Sequence, residues 1–134
     1  MDDTNDLTGV KVMVIDDSNT IRRSAEIFLT QSKCETILAV DGFDAMAKII
    51  DTRPDIIFVD IMMPRLDGYQ TCTLIKRNSH FQATPVIMLS SKDGLFDQAR
   101  GRMVGSDEYL TKPFTKESLL NVVKNYVLKR KTEM

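Results

Sequence analysis

Polar side chains that can bind a cation or a phosphoryl group stand where short apolar stretches of the sequence end. If these stretches are parallel strands of an open sheet, their carboxyl ends meet at one edge, which is where such sheets carry their sites. Three of the side chains are carboxylates, one is a hydroxyl and one is an amine: Asp16, Asp17, Asp60, Ser90 and Lys112.

Three carboxylates brought together repel one another strongly at low effective dielectric, so a cation must compensate. Mg2+ prefers oxygen ligands and typically binds one or two carboxylates, waters and a phosphate oxygen, and Lys112 supplies further positive charge. A carboxylate beside such cations can attack phosphorus, because aspartyl phosphates are established covalent intermediates. The cations would neutralise charge on the equatorial oxygens, and Ser90 could recognise the phosphoryl group.

Each of these residues also has a simpler interpretation. An Asp-Asp pair ahead of a helix is often a cap, a serine at a strand end is often a turn hydroxyl, and a lysine is usually solvated. Capping does not predict that all of them follow successive strands. Their joint placement therefore favours a site.

Five apolar runs alternate with segments whose apolar residues recur at helical spacing. The runs predict strands at 10–15, 36–40, 55–60, 85–90 and 108–111. Ser18 and Asn19 are good N-cap types before the first helix, Pro54 must follow the end of the second, and Gly105 closes the fourth. The apolar stripes of the five helices are Ile21, Ala25, Phe28 and Leu29; Phe43, Met46, Ala47 and Ile50; Tyr69, Cys72 and Ile75; Leu95, Ala99 and Met103; and Leu119, Leu120, Val123, Tyr126 and Val127.

The strands read as continuous hydrophobic runs, which is typical of a parallel sheet covered by helices on both faces. Alternating strands and helices with right-handed crossovers predict a doubly wound α/β domain. We expect a polar N-terminal segment over 1–9, one domain over 10–128 and a C-terminal tail over 129–134.

Composition narrows the possible functions. The chain has 134 residues, is 43% apolar and 28% charged, and carries a formal net charge of −1, so we expect no nucleic-acid partner. Cys34 and Cys72 lack the spacing of a metal site and are predicted to be buried, reduced thiols. Without a signal-peptide pattern or a membrane-spanning apolar run, the sequence predicts a cytoplasmic protein with no membrane insertion.

The ordered motifs resemble those of bacterial response-regulator receiver domains. They comprise Asp16-Asp17 after the first strand, FVDIMMP at 58–64 with Asp67-Gly68, PVIMLS at 85–90 and YLTKPF at 109–114. The resemblance covers about residues 10–128 and implies a flavodoxin-like, five-stranded sheet of order 2-1-3-4-5 with five helices.

This resemblance also implies roles for individual residues. Asp60 is expected to accept the phosphoryl group, with Mg2+ as cofactor, and Lys112 to contact that group from a position before a cis proline. Ser90 and Tyr109 are expected to form the switch pair. The implied metal site consists of Asp17, Asp60 and the backbone carbonyl of Met62, with Asp16 acting through a water molecule.

Within the family, the chain is similar to stand-alone receivers of the chemosensory system that controls type IV pili and twitching motility; the stretches 94–97 and 105–107 add to this similarity. The implied phosphodonor is a phosphohistidine on a sensor kinase or phosphotransfer protein. The implied output is a protein target that binds the face of helix 4, strand 5 and helix 5. We expect a monomer or weak dimer that catalyses only its own phosphorylation and slow dephosphorylation.

Two positions differ from the best-known chemotaxis receiver, because Met62 and Lys92 stand where that relative has Asn and Glu. These differences bear on the lifetime of the phosphorylated state rather than on phosphorylation itself.

Three rival functions fit less well. A haloacid-dehalogenase-type phosphohydrolase needs a second Asp two residues after the nucleophile, where this chain has Met62, and it needs room for a cap domain. A flavin-binding electron carrier of the same topology needs a hydroxyl-rich phosphate loop, whereas Asp16 and Asp17 would repel a phosphate. A degenerate receiver that only binds partners would lack some active-site residue types, and all are present here.

Overall fold

A computed structural model describes residues 6–91 and 97–128 of the chain. The predictions that concern Lys92, Leu95, the rest of the stretch 94–96 and the C-terminal tail over 129–134 lie outside the described residues, as do residues 1–5 of the predicted N-terminal segment.

Five parallel strands form one sheet, and the described helices pack on both of its faces. The strands are β1 (Lys11–Ile15), β2 (Glu35–Ala39), β3 (Ile56–Asp60), β4 (Val86–Ser91) and β5 (Glu108–Lys112). The helices are α1 (Asn19–Gln31), α2 (Gly42–Thr52), α3 (Gly68–Arg77), α4 (Gln98–Met103) and α5 (Lys116–Val123), which continues as a π-helical turn over Lys124–Leu128. The strand order is β2-β1-β3-β4-β5, so the predicted flavodoxin-like topology is confirmed.

Two hydrophobic cores lie on opposite faces of the sheet. Strand residues of alternating orientation supply both: Val12, Val14 and Phe58 enter the core under α1 and α5, while Met13 and Ile57 enter the other core. All five residues of β3 are buried, as expected for a central strand covered on both faces. This central position holds Asp60, the last residue of β3, at the carboxyl edge of the sheet.

Local signals set most of the helix ends as predicted. The Ser18 hydroxyl accepts a hydrogen bond from the Ile21 N–H at the start of α1, and Gly105 follows α4 with a left-handed φ of 90°. Helix α2 ends at Thr52, two residues before Pro54. Within the residues searched for a membrane span, no helix is long and apolar enough to cross a bilayer.

The predicted inner faces of α2 and α4 were wrong in part. In α2, Ala45 and Ile49 are buried in the core and Met46 packs against it as predicted, whereas Ala47 is exposed and Phe43 and Ile50 are 55% and 47% exposed. In α4 the buried residue is Gly101, Ala99 is exposed, and Met103 is 85% exposed. In α2 the small residue Gly42 allows Leu66 and Thr71 to approach closely.

Candidate functional site

Three carboxylates converge at the carboxyl edge of the sheet. Parallel pairing sets Ile15 of β1 opposite Val59 of β3, so the next residues, Asp16 and Asp60, are neighbours across the two strands. One oxygen each of Asp16, Asp17 and Asp60 lies within 4.8 Å of the other two. Asp16 and Asp60 are buried, and Asp17 is exposed.

Lys112, at the end of β5, reaches across β4 to this cluster. Its Nζ donates hydrogen bonds to Asp60 Oδ1 at 2.9 Å and to Asp16 Oδ2 at 3.1 Å. The peptide bond between Lys112 and Pro113 is cis, as the resemblance implied. The ammonium group therefore bridges the two buried carboxylates.

Burial and neighbouring charges shift the pKa values of Asp60 and Lys112. Burial raises the pKa of Asp60 to about 6; the hydrogen bond from Lys112 opposes this shift, and the negative charge of Asp16 adds to it. Burial favours a lower pKa for Lys112, but hydrogen bonds and attraction from Asp60 and Asp16 outweigh it, so the net pKa is raised. Thus Lys112 stays charged, and the ionised form of Asp60 is incompletely compensated.

The donor set fits a hard divalent cation. Three carboxylates face one ammonium group, which leaves unbalanced negative charge in a cluster of oxygen ligands. Mg2+ prefers such oxygens and keeps part of its water shell, and the exposure of Asp17 leaves a solvent-facing side for that water.

Backbone groups hold the carboxylates in place. The Ser18 N–H donates to Asp16 Oδ1 at 2.8 Å, and the Met62 N–H donates to Asp60 Oδ1 at 3.2 Å. The guanidinium of Arg22 donates to the backbone oxygen of Asp16 at 2.6 Å. Met62 itself is 62% exposed.

Ser90 lies on β4, which pairs with the strand that carries Asp60, and Tyr109 lies on β5, the strand that carries Lys112. Ser90 ends the buried stretch of β4, is 4% exposed, and donates through Oγ to the backbone oxygen of Ser91 at 3.3 Å. Tyr109 pairs with Met88 in the neighbouring strand and is 41% exposed.

The face around Tyr109 carries two surface depressions. A depression of about 260 Å³ lies between the end of α4 and β5, and an open groove of about 600 Å³ runs along β5 to the start of α5. Tyr109 lines both. The first is lined by Gln98, Arg102, Ser106, Asp107, Glu108 and Tyr109.

Sequence reasoning missed two contributors to the site. Gly68 packs so closely on β3 that a Cβ there would lie 2.5 Å from the backbone oxygen of Asp60. The sequence motif contains this glycine, but only the tertiary contact explains why a side chain is excluded. Arg22 carried no sequence signal, since an arginine in the first turns of a helix is ordinary.

Comparisons with known proteins agree with this geometry. Residues 12–124 match the family model described as "Response regulator receiver domain". The chain is 72% identical over 119 residues to Protein PilG of Pseudomonas aeruginosa, covering 89% of this chain and 88% of that protein. It is 35% identical over 111 residues to Response regulator MprA of a Mycobacterium species, covering 83% of this chain but 47% of that protein. The crystal structure of chemotaxis protein CheY4 from Vibrio cholerae superposes with a TM-score of 0.84 at 31% identity, covering 89% and 99% of the two chains.

Proposed function

The chain belongs to the response regulator receiver domain family, and from that premise we propose that it is a Mg2+-dependent switch phosphorylated on Asp60. The observation that carries the proposal is the convergence of three carboxylates with Lys112, whose Nζ is 2.9 Å from Asp60 Oδ1. Receiver domains are signalling switches rather than enzymes acting on an external substrate. The chemistry proposed here is accordingly limited to the chain's own phosphorylation and dephosphorylation.

In the proposed reaction, the carboxylate of Asp60 attacks the phosphorus of a phosphohistidine, and the phosphorus–nitrogen bond breaks. Lys112 already donates a hydrogen bond to Asp60. After transfer it would donate to a phosphoryl oxygen instead, since an ammonium group binds such oxygens strongly. Asp16, Asp17, Asp60 and the backbone carbonyl of Met62 would hold Mg2+. When bound, the metal would supply positive charge to the phosphoryl oxygens.

The proposed switch uses Ser90 and Tyr109. The Ser90 hydroxyl, which now donates to a neighbouring backbone oxygen, would gain a stronger acceptor in a phosphoryl oxygen. Movement of this strand end would make space for the ring of Tyr109, which is partly exposed between two depressions. The downstream protein would then read the face formed by α4, β5 and α5, where Met103 is also exposed.

The proposed pathway is the chemosensory control of type IV pili and twitching motility. Its support is the 72% identity with PilG over nearly the full length of both chains. The phosphodonor would be a sensor histidine kinase or a phosphotransfer protein of that system, and the output would pass to another protein.

Intact-mass measurement after incubation with a small phosphodonor and Mg2+ tests the acceptor assignment. We expect one added phosphoryl group in the wild-type protein and none in Asp60→Ala. Asp51→Ala is a matched control, because Asp51 is an exposed carboxylate on α2 and should leave labelling intact. Stoichiometric labelling of Asp60→Ala would contradict the assignment.

Amide resonances test the output face. Mg2+ with a phosphoryl mimic should shift resonances across residues 97–120, and Ser90→Ala should weaken those shifts while Asp60 is still phosphorylated. Resonance shifts confined to the acidic cluster would mean that the downstream protein binds another surface.

A further inference from the structure

The loop between β3 and α3, residues 61–67, contacts the start of α2 through the side chains of Arg65 and Leu66. We name residues 61–67 the acceptor loop, because they follow Asp60. Arg65 Nη2 lies 2.7 Å from Asp41 Oδ2, and the Arg65 guanidinium lies 5.4 Å from the centre of the Phe43 ring. One side chain thus binds both a carboxylate and an aromatic face on α2.

Arg65 keeps a backbone conformation that ordinary residues avoid. Its φ of 68° is left-handed, which costs a residue with a Cβ roughly 1 kcal/mol. Glycine would avoid this cost, yet the chain has an arginine here. The contacts of its side chain with Asp41 and Phe43 offset part of this cost.

The partner of Arg65 is already fixed. Asp41 caps α2 by accepting the Asp44 N–H at 2.8 Å through Oδ1, which leaves Oδ2 for Arg65. The Asp41 side chain is only 15% exposed, so it is ordered before the ion pair forms, whereas the Arg65 side chain is 68% exposed and carries most of the entropy cost of the pair. Next to it, Leu66 packs on Gly42 so closely that a Cβ there would lie 2.6 Å from Leu66 Cδ2.

The acceptor loop also determines the surroundings of Asp60. The Met62 N–H donates to Asp60 Oδ1, and the Gly68 N–H donates to the backbone oxygen of Ile61 at 2.9 Å. The backbone carbonyl of Met62 lies in this same loop and belongs to the proposed metal site. A shift of the loop at Arg65 would therefore move the Met62 N–H that orients the Asp60 carboxylate and the Met62 carbonyl that belongs to the proposed metal site.

We propose that Arg65 is a positioning residue that fixes the acceptor loop on Asp41 and Phe43 and so aligns the Mg2+ ligands. This inference rests on the proposed function for its metal, but the contacts of Arg65 exist without it. Removing the side chain should loosen the loop and weaken Mg2+ binding by about five-fold, because partners that orient metal ligands contribute strongly to affinity.

The test compares three variants. Arg65→Ala removes the side-chain contacts but keeps the free-energy cost of a left-handed φ. Arg65→Gly removes the same contacts and also relieves that cost, because glycine adopts a left-handed φ freely. Arg53→Ala is the matched control, since Arg53 is an exposed arginine with a left-handed φ of 48° at the opposite end of α2. Calorimetry gives the Kd for Mg2+. The hydrogen-exchange rates of the Leu66 and Gly68 amides in metal-free protein measure how often the loop opens.

We expect both Arg65 variants to show about five-fold weaker Mg2+ binding and faster exchange of the loop amides, with Arg53→Ala unchanged. Saturating Mg2+ should restore their phosphorylation rate. The inference is wrong if Arg65→Gly binds Mg2+ like wild type, since the loop would then align the metal ligands without the contacts of the Arg65 side chain. It is equally wrong if Arg53→Ala shows the same losses, or if all variants stay within two-fold of wild type.

The two proposals fail in different ways. Absence of Mg2+ binding by the wild-type protein would refute the proposed function. In that case the metal-free exchange rates alone decide whether Arg65 holds the loop. Normal wild-type binding with unchanged Arg65 variants would refute only the positioning role.

Discussion

Replacing Asp60 with asparagine should stabilise the metal-free protein at neutral pH. Burial and the charge of Asp16 raise the pKa of Asp60 from the ordinary 3.8 to about 6, despite its hydrogen bond from Lys112. Because the folded pKa lies above the unfolded pKa, the stabilising form is the protonated one. Its contribution is complete below about pH 3.8 and is lost as the pH rises through about 6.

The size of the effect follows from this shift. A displacement of about two pKa units corresponds to about 3 kcal/mol of cost for the ionised carboxylate above pH 7. Asparagine removes that charge, and solvent at the open edge of the site screens part of its cost, so we expect a net gain of roughly 2 kcal/mol in the free energy of unfolding. For a domain of this size the melting temperature should rise by roughly 6 °C.

Thermal unfolding followed by circular dichroism, with EDTA present, measures this difference. The gap between Asp60→Asn and wild type should be largest at pH 7.5 and should close toward pH 4. Added Mg2+ should raise the melting temperature of wild type more than that of the variant, because the cation binds the folded state. Asp51→Asn, an exposed carboxylate on α2, should change little under all conditions.

The reasoning would be refuted by a variant that is no more stable than wild type at pH 7.5 without metal. A stability difference between the variant and wild type that persists at pH 4 would also refute the reasoning, because ionisation of Asp60 would then not be its cause.

Three further predictions concern other parts of the chain. The double substitution Met62→Asn with Lys92→Glu should speed decay of the phosphorylated form by about 10-fold, or about 1.4 kcal/mol of barrier, because polar side chains orient the attacking water. Intact-mass measurement over time follows this decay, and equal or slower decay in the double variant would contradict the prediction. Burial raises the pKa of Cys34 and Cys72 to about 11, so both thiols should react with a disulfide reagent at pH 8 at least ~100-fold more slowly in native than in denatured protein. Gly68→Ala should lower the free energy of unfolding by about 2 kcal/mol, measured by denaturant titration, because its Cβ would collide with the backbone of β3.

The class of the fold and the position of the site could be predicted from the sequence because both depend on local patterns. Buried strands of a parallel sheet read as apolar runs, and polar residues directly after them must meet at one edge. Asp16, Asp60 and Lys112 were located in this way, and the structure brings them within hydrogen-bonding distance. The strand order itself came from the resemblance to a family rather than from these patterns.

Helix faces were less predictable. A stripe at helical spacing shows that a helix has an apolar side, but α2 and α4 have apolar or small residues on more than one side. Ala45 packs in the core with residues of the sheet and Gly101 is the buried residue of α4, whereas Phe43 and Met103 are exposed. Periodicity alone does not measure how near a helix lies to its neighbours.

Only the tertiary structure decided which contacts hold the site in place. Asp16 and Asp17 are adjacent in sequence, yet one is buried against Lys112 and the other is exposed, because successive residues at a strand end point in different directions. The contact of Arg65 with Asp41 joins residues far apart in the chain, and no local pattern specifies such a pair. Residue types and their order determined what chemistry was available, and packing determined which groups stand close enough to perform it.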